Sequence, residues 1–189
     1  MLRAMNRETL FEHVIAAHGG RDRWNALESI EARFDSSGLA FSAHMQPTAL
    51  RNLRIAVRPH ARQVVLGDFH RPGWRGVWTP ERVQVFDAEG RLVEQRDQPR
   101  ASFSRPIKLL RWDRLDILYF AGYALWNYLG FPFILEEPGV RLNENGTDRL
   151  VARFDASVQT HSPIQEFHID AAGHLLRHDY TADVIGRWA

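Results

Sequence analysis

Apolar positions near the start of the chain recur at helical spacing: Leu10, Phe11, Val14 and Ile15 form one stripe. Asn6 is placed to cap this helix and Gly19-Gly20 to stop it. "RDRWNALESI" predicts one more helical turn, anchored by Trp24 and Leu27. The period then falls from 3.6 to 2. Ile30, Ala32 and Phe34 alternate with polar neighbours, as do Leu39, Phe41, Ala43 and Met45, and then Leu53, Ile55 and Val57. Each set predicts an antiparallel strand with one dry face and one wet face. "RPHARQ" turns the chain into a strand near Gln63 to Leu66, and "GWRGVW" and "RVQVFD" continue the series, with Trp74 and Trp78 on a shared strand face.

One segment breaks the alternation. "ILYFAGYALWNYLGFPFIL", Ile117 to Leu135, contains no formal charge. Asp113 is a good cap for a helix here, and Pro132 ends it near Gly130. The charge-free helical part then spans roughly 21 Å at 1.5 Å per residue, against a hydrocarbon core of about 30 Å. Its aromatics crowd the middle instead of forming two interfacial belts. A transmembrane span is therefore disfavoured. A helix apolar on most sides must be covered on most sides, so it is either a core helix or the wall of a cavity.

Strands resume after Pro138-Gly139. Glu144-Asn145-Gly146 marks a turn, Leu150, Ala152 and Phe154 alternate, and a last hairpin joins Ile164–Ile169 to His174–Ala182. "VFDAEGRLVEQRD" and "HIDAAGHLLRHDY" share Asp-Ala-x-Gly between apolar segments, which predicts the same tight turn in two hairpins. No linker rich in Gly, Ser or Pro divides the chain, so residues 1–189 are read as one domain. The expected class is α+β: a curved antiparallel sheet, an unclosed half-barrel, with helices covering its concave face.

Composition narrows the chemistry. Twenty-four basic and twenty-three acidic residues nearly cancel, so no bulk charge attracts nucleic acid. With no cysteine, disulfides, thiol catalysis and thiolate metal sites are excluded. The first twenty residues lack the basic, apolar and small-residue regions of a secretory signal, which points to a cytoplasmic protein. His174 and His178 have the zinc spacing of a helix, but on a strand they stand about 13 Å apart. There is no Gly-x-Ser-x-Gly elbow and no phosphate loop. Neither a cofactor nor a metal is expected, and no residue is assigned a catalytic role.

The order "AAHGGRDRWNALESI", alternating strands, "GWRGVWTPERV" and "YFAGYALWNYL" resembles an uncharacterised bacterial family. That family is similar in fold to the lipoprotein carriers LolA, LolB and LppX. The resemblance implies an open β-barrel whose helix-covered concave face holds lipid or acyl chains. The relatives continue past "HDYTADV" into further strands, so it also implies that closing C-terminal strands are missing here.

The functional expectation is non-catalytic binding of a hydrophobic small molecule or acyl chain. Phe34, Phe41, Met45, Leu53, Ile55, Val57 and Trp78 would form the sheet wall, and Tyr119, Phe120, Tyr123 and Trp126 the helical cover. Two alternatives stand beside it. One is a small cup-shaped enzyme acting on an apolar substrate. The other is a homodimeric interaction module with a solid core.

Overall fold

The computed structural model describes residues 9–185. In chain order the elements begin with α1 (Leu10–Ala17), α2 (Gly20–Asn25), β1 (Ile30–Phe34), α3 (Leu39–Ala43), β2 (Leu53–Arg58) and β3 (Gln63–Gly67). They continue with β4 (Arg75–Trp78), β5 (Arg82–Phe86), β6 (Leu92–Asp97), α4 (Arg114–Gly130) and β7 (Val140–Glu144). The last are β8 (Arg149–Phe154), β9 (Ile164–Ile169) and β10 (Leu175–Asp179), and short 3-10 turns join several of these elements.

The class is α+β, and every strand pairing is antiparallel. The strands make two sheets, β1-β2-β3-β4-β5-β6 and β10-β9-β8-β7, in place of the single sheet expected. Contacts group the chain into two compact units, one sheet in each. Of the described residues, the first unit holds 9–26, Phe131–Val158 and Ser162–Thr181. The second holds Leu27–Gly130, Gln159–His161 and 182–185.

In the second unit, strand register builds two apolar rows across the sheet. Val57 faces Val64, Val64 faces Trp78 and Trp78 faces Val83; Ile55 faces Leu66, Leu66 faces Gly76 and Gly76 faces Val85. All eight of these side-chain positions are buried. Helix α4 packs across β2, β3, β4 and β5. Two reciprocal contacts seat it. A Cβ at Gly122 would lie 2.2 Å from Trp78 Cγ, and one at Gly76 would lie 2.7 Å from Leu118 Cδ1. The helix is thus small where the sheet is large, and the sheet is small where the helix is large. At these two points the interface is filled by side chains.

The start of α4 is fixed by charge. Asp113 N–H donates to Asp116 Oδ2 at 2.8 Å and Asp116 N–H returns a bond to Asp113 Oδ1 at 3.0 Å, a reciprocal cap. Buried Asp116 also meets Arg96 at 2.8 Å, the Ser102 hydroxyl at 2.9 Å and the Lys108 ammonium. Burial alone would raise the Asp113 carboxyl, but hydrogen bonds from Arg96 and Lys108 outweigh it and hold the group well below its ordinary value. The helix ends at Gly130, before Phe131-Pro132, as the sequence predicts.

The strand expected over Leu39 to Met45 is instead α3 and its cap. Gln46 N–H donates to Phe41 O at 2.7 Å and Met45 N–H to Ser42 O at 3.1 Å, a Schellman turn with Met45 at φ 63°. Half-buried Ala40 and Phe41 and buried His44 recur at helical spacing, so Phe41 and Met45 do not share a strand face and Ala43 faces solvent. Trp74 falls before β4, and only Trp78 sits in the strand.

In the first unit, Thr9 caps α1, its hydroxyl accepting from Glu12 N–H at 3.2 Å, while Asn6 lies outside the described residues. Arg21 ties Glu12 to Glu136, each at 2.7 Å, and Trp24 stacks on Phe133 at 4.6 Å. The two Asp-Ala-x-Gly turns are the same turn. Asp87 Oδ1 accepts from the amides of Glu89 and Arg91, and Asp170 Oδ1 from those of Ala172 and His174; Gly90 and Gly173 take φ 81° and 87°.

Candidate functional site

The site is assembled in the second unit from the residues between β1 and β2, the β3–β4 turn and the N-terminal half of α4. Trp112, buried, is its centre. Its indole N–H donates to Lys108 O at 2.9 Å, and its ring lies 4.4 Å from His44, 5.3 Å from Phe103 and 5.3 Å from Phe120. Phe120 in turn meets Phe41 at 5.9 Å and Tyr123 at 5.5 Å. Phe41, Phe103 and Phe120 are only half-buried, so the cluster has a wet edge.

Polar groups adjoin these aromatics, with Tyr119 5.7 Å from Phe103 and His161 5.7 Å from Phe120. Tyr119 O–H donates to Gln159 Oε1 at 2.6 Å, and Arg100 donates to Tyr119 Oη at 3.3 Å and Thr160 O at 3.0 Å. Burial raises the Tyr119 phenol above its ordinary value, with Arg100 opposing, so the hydroxyl stays protonated near neutrality. Buried His161 lies between two tyrosines, Nδ1 at 3.2 Å from Tyr123 Oη and Nε2 at 2.8 Å from Tyr128 Oη. When the imidazole is neutral it has one donor and one acceptor nitrogen, so one tyrosine hydroxyl then donates a hydrogen bond to the ring and the other accepts one from it.

Beside the cluster lies an open cleft of about 540 Å³, and Gln46 joins the two: it lines the cleft while its Nε2–H donates to Trp112 O at 2.7 Å. Apolar Met45, Ala49 and Leu53 line it together with Arg51, His70 and Arg71. Four of the lining residues, Met45, Asn52, Asp68 and His70, adopt left-handed backbone with φ of 63°, 51°, 60° and 68°. Such strain concentrates where surrounding structure must hold a particular shape. Asp68 is held by the Gly73 amide at 2.9 Å, the main cause of its lowered pKa, and pairs with Arg54 at 2.9 Å. Arg71 lies over the Trp74 ring at 4.8 Å.

The residues proposed from sequence therefore divide. Phe41, Tyr119, Phe120 and Tyr123 join the aromatic cluster. Met45 and Leu53 line the cleft. Ile55, Val57, Trp78 and Trp126 are buried in the core that the sheet and α4 share, with the two indoles 6.4 Å apart. Phe34 ends β1, half-buried and paired with Leu53. Trp112, Phe103, His44 and His161 were missed. Their signal was weak, because Trp112 and His161 stand in irregular chain, Phe103 in a short 3-10 helix and His44 at the cap of a helix read as a strand.

Among the described residues no group of three His, Asp or Glu side chains is placed to hold a metal ion, and no helix is long and apolar enough to cross a membrane. Comparison of the chain with family models, curated proteins and solved structures returned no match.

Proposed function

We propose that the protein binds a hydrophobic small molecule or acyl chain without catalysis, and that the polar end of this ligand rests in the cleft. The observation that carries the reading is the lining itself. Met45 and Ala49 offer apolar surface, Arg51, His70 and Arg71 offer positive charge or hydrogen bonds, and about 540 Å³ falls within the range of small-molecule sites. A fatty acid matches both halves: its chain lies along Met45 toward the half-buried aromatics, and its carboxylate meets Arg71. Ile55, Val57, Trp78 and Trp126 then act as packed backing. The half-barrel reading enters with this proposal, supported by the placing of α4 across one face of the six-stranded sheet.

Titration with a long-chain fatty acid tests it, read by Trp74 emission, because a carboxylate that draws Arg71 off the indole changes the ring's surroundings. Ala49→Trp should fill the cleft and weaken binding at least about tenfold, and Arg71→Glu should do the same through charge. Ser42→Phe, on the exposed side of α3, should have no effect. No saturable binding by the wild type, or unchanged affinity in a folded Ala49→Trp protein, would overturn the reading.

A further inference from the structure

The segment from Arg105 to Trp112 is turned inside out. Lys108, the only lysine of the chain, is buried, while Ile107, Leu109 and Leu110 are 56%, 58% and 69% exposed. The orientation is held from within. Lys108 Nζ donates to Asp113 Oδ2 at 2.8 Å and to buried Asp116, and the Trp112 indole donates to Lys108 O at 2.9 Å. Lys108 N–H and Arg111 N–H donate to Arg105 O and Ile107 O at 3.0 and 2.9 Å, closing the turn. Releasing Lys108 would take one of its two cations from the buried carboxylate of Asp116, which costs more than leaving aliphatic side chains in water. The ion network thus obliges the apolar side chains to face outward.

The two stretches that supply the exposed apolar side chains have charge of one sign. "PRASFSRPIKLLRW", Pro99 to Trp112, contains no carboxylate, and neither do residues 36–50. The latter stretch packs onto the same aromatics through His44 on Trp112 and Phe41 on Phe120, and adds Leu39 at 86% exposure. Arg105 and Arg111 are exposed and form no ion pair among the described residues.

We propose that this face docks on a lipid bilayer carrying anionic headgroups. Ile107, Leu109 and Leu110 enter the boundary between headgroups and acyl chains, and Arg105 and Arg111 lie at headgroup level. The occupant follows from chemistry. A second copy would set Arg105 and Arg111 against one another with no carboxylate from either stretch to face them. Single-stranded nucleic acid is held by aromatic stacking, whereas the side chains offered here are aliphatic. The proposal does not rest on the cleft having a ligand.

Flotation of the full chain with vesicles tests it. The protein should float with equimolar phosphatidylglycerol and phosphatidylcholine, stay behind with phosphatidylcholine alone, and be released by about 0.5 M salt, where charge is screened within a few ångströms. The double change Leu109→Ser and Leu110→Ser should weaken vesicle binding at least about tenfold, while melting temperature and fatty-acid titration stay unchanged. Arg105→Gln with Arg111→Gln should remove the preference for anionic lipid. Failure to bind the anionic vesicles overturns the proposal, as does equal binding by the serine variant. A concentration-dependent mass that the serine variant abolishes would assign the face to a second copy and overturn it as well.

Discussion

Individual residues show how a charge is tolerated in this chain. Lys108 and Asp116 are buried because each has a partner at hand, and Asp116 has four: Arg96, Lys108, Ser102 and the amide of Asp113. His178 follows the opposite route. It stacks on Phe167 at 4.2 Å and meets Gln165 Oε1 through Nε2 at 2.7 Å. Burial lowers its pKa from 6.5 to about 4, and the nearby Asp179 carboxylate offsets only part of that. The folded form therefore binds a proton later than the unfolded chain does. This contribution to stability is complete above about pH 6.5 and is lost as pH falls toward 4. Wild type should thus lose more of its denaturant midpoint between about pH 7 and pH 4.5 than His178→Gln does, because glutamine cannot take up the proton. A gap between the two proteins that stays constant with pH would show that His178 titrates normally. None of this was legible in "HLLRHDY", since periodicity places a histidine on a strand but not against a particular ring.

At the scale of elements, legibility followed length and contrast. Helix α4 was read within a residue of its ends, because Asp113 and Pro132 punctuate a long charge-free run. The hairpins at Asp87 and Asp170 were read from their turn residues, whose geometry is local. Helix α3 was misread. Over so few residues Leu39, Phe41, Ala43 and Met45 satisfy a period of two, and only the Schellman cap and its left-handed Met45 reveal a helix. The placing of α4 on the sheet was invisible, as it depends on Gly76 and Gly122 meeting Leu118 and Trp78. Gly122→Val tests that seating. Its Cβ would overlap Trp78, so the indole or the helix must shift, at a cost of about 1–3 kcal/mol or more. Pairing Gly122→Val with Trp78→Leu should recover part of the loss, seen as non-additive midpoints in denaturant. Strict additivity would mean that the two side chains do not share that space.

At the scale of the molecule, the two sheets explain why alternation alone left the fold half read. A strand's period tells which residues face inward but not which sheet it joins, and the break falls between β6 and β7, where the chain passes through α4. The candidate site was harder to read still, because the cleft depends mostly on irregular chain at 45–52 and 68–72, not on any periodic face. What each sheet does have is a gradient from centre to edge. In the six-stranded sheet the rows through Val57, Val64, Trp78 and Val83 lie under α4, whereas β1 has three exposed residues among its five. In the four-stranded sheet β8 and β9 have neighbours on both sides and β10 is an edge. Amides open by local unfolding most readily where few buried contacts hold them. Native-state hydrogen exchange should therefore be slowest at Val57, Val64, Leu66, Val83, Val85 and the middle turns of α4. It should be faster in β1 and β10 by several orders of magnitude, the spread expected between local and global opening. If α4 instead exchanged as fast as β1, the helix would be resting loosely over the sheet, and the reciprocal fit of Gly122 to Trp78 and Gly76 to Leu118 would not be what holds it there.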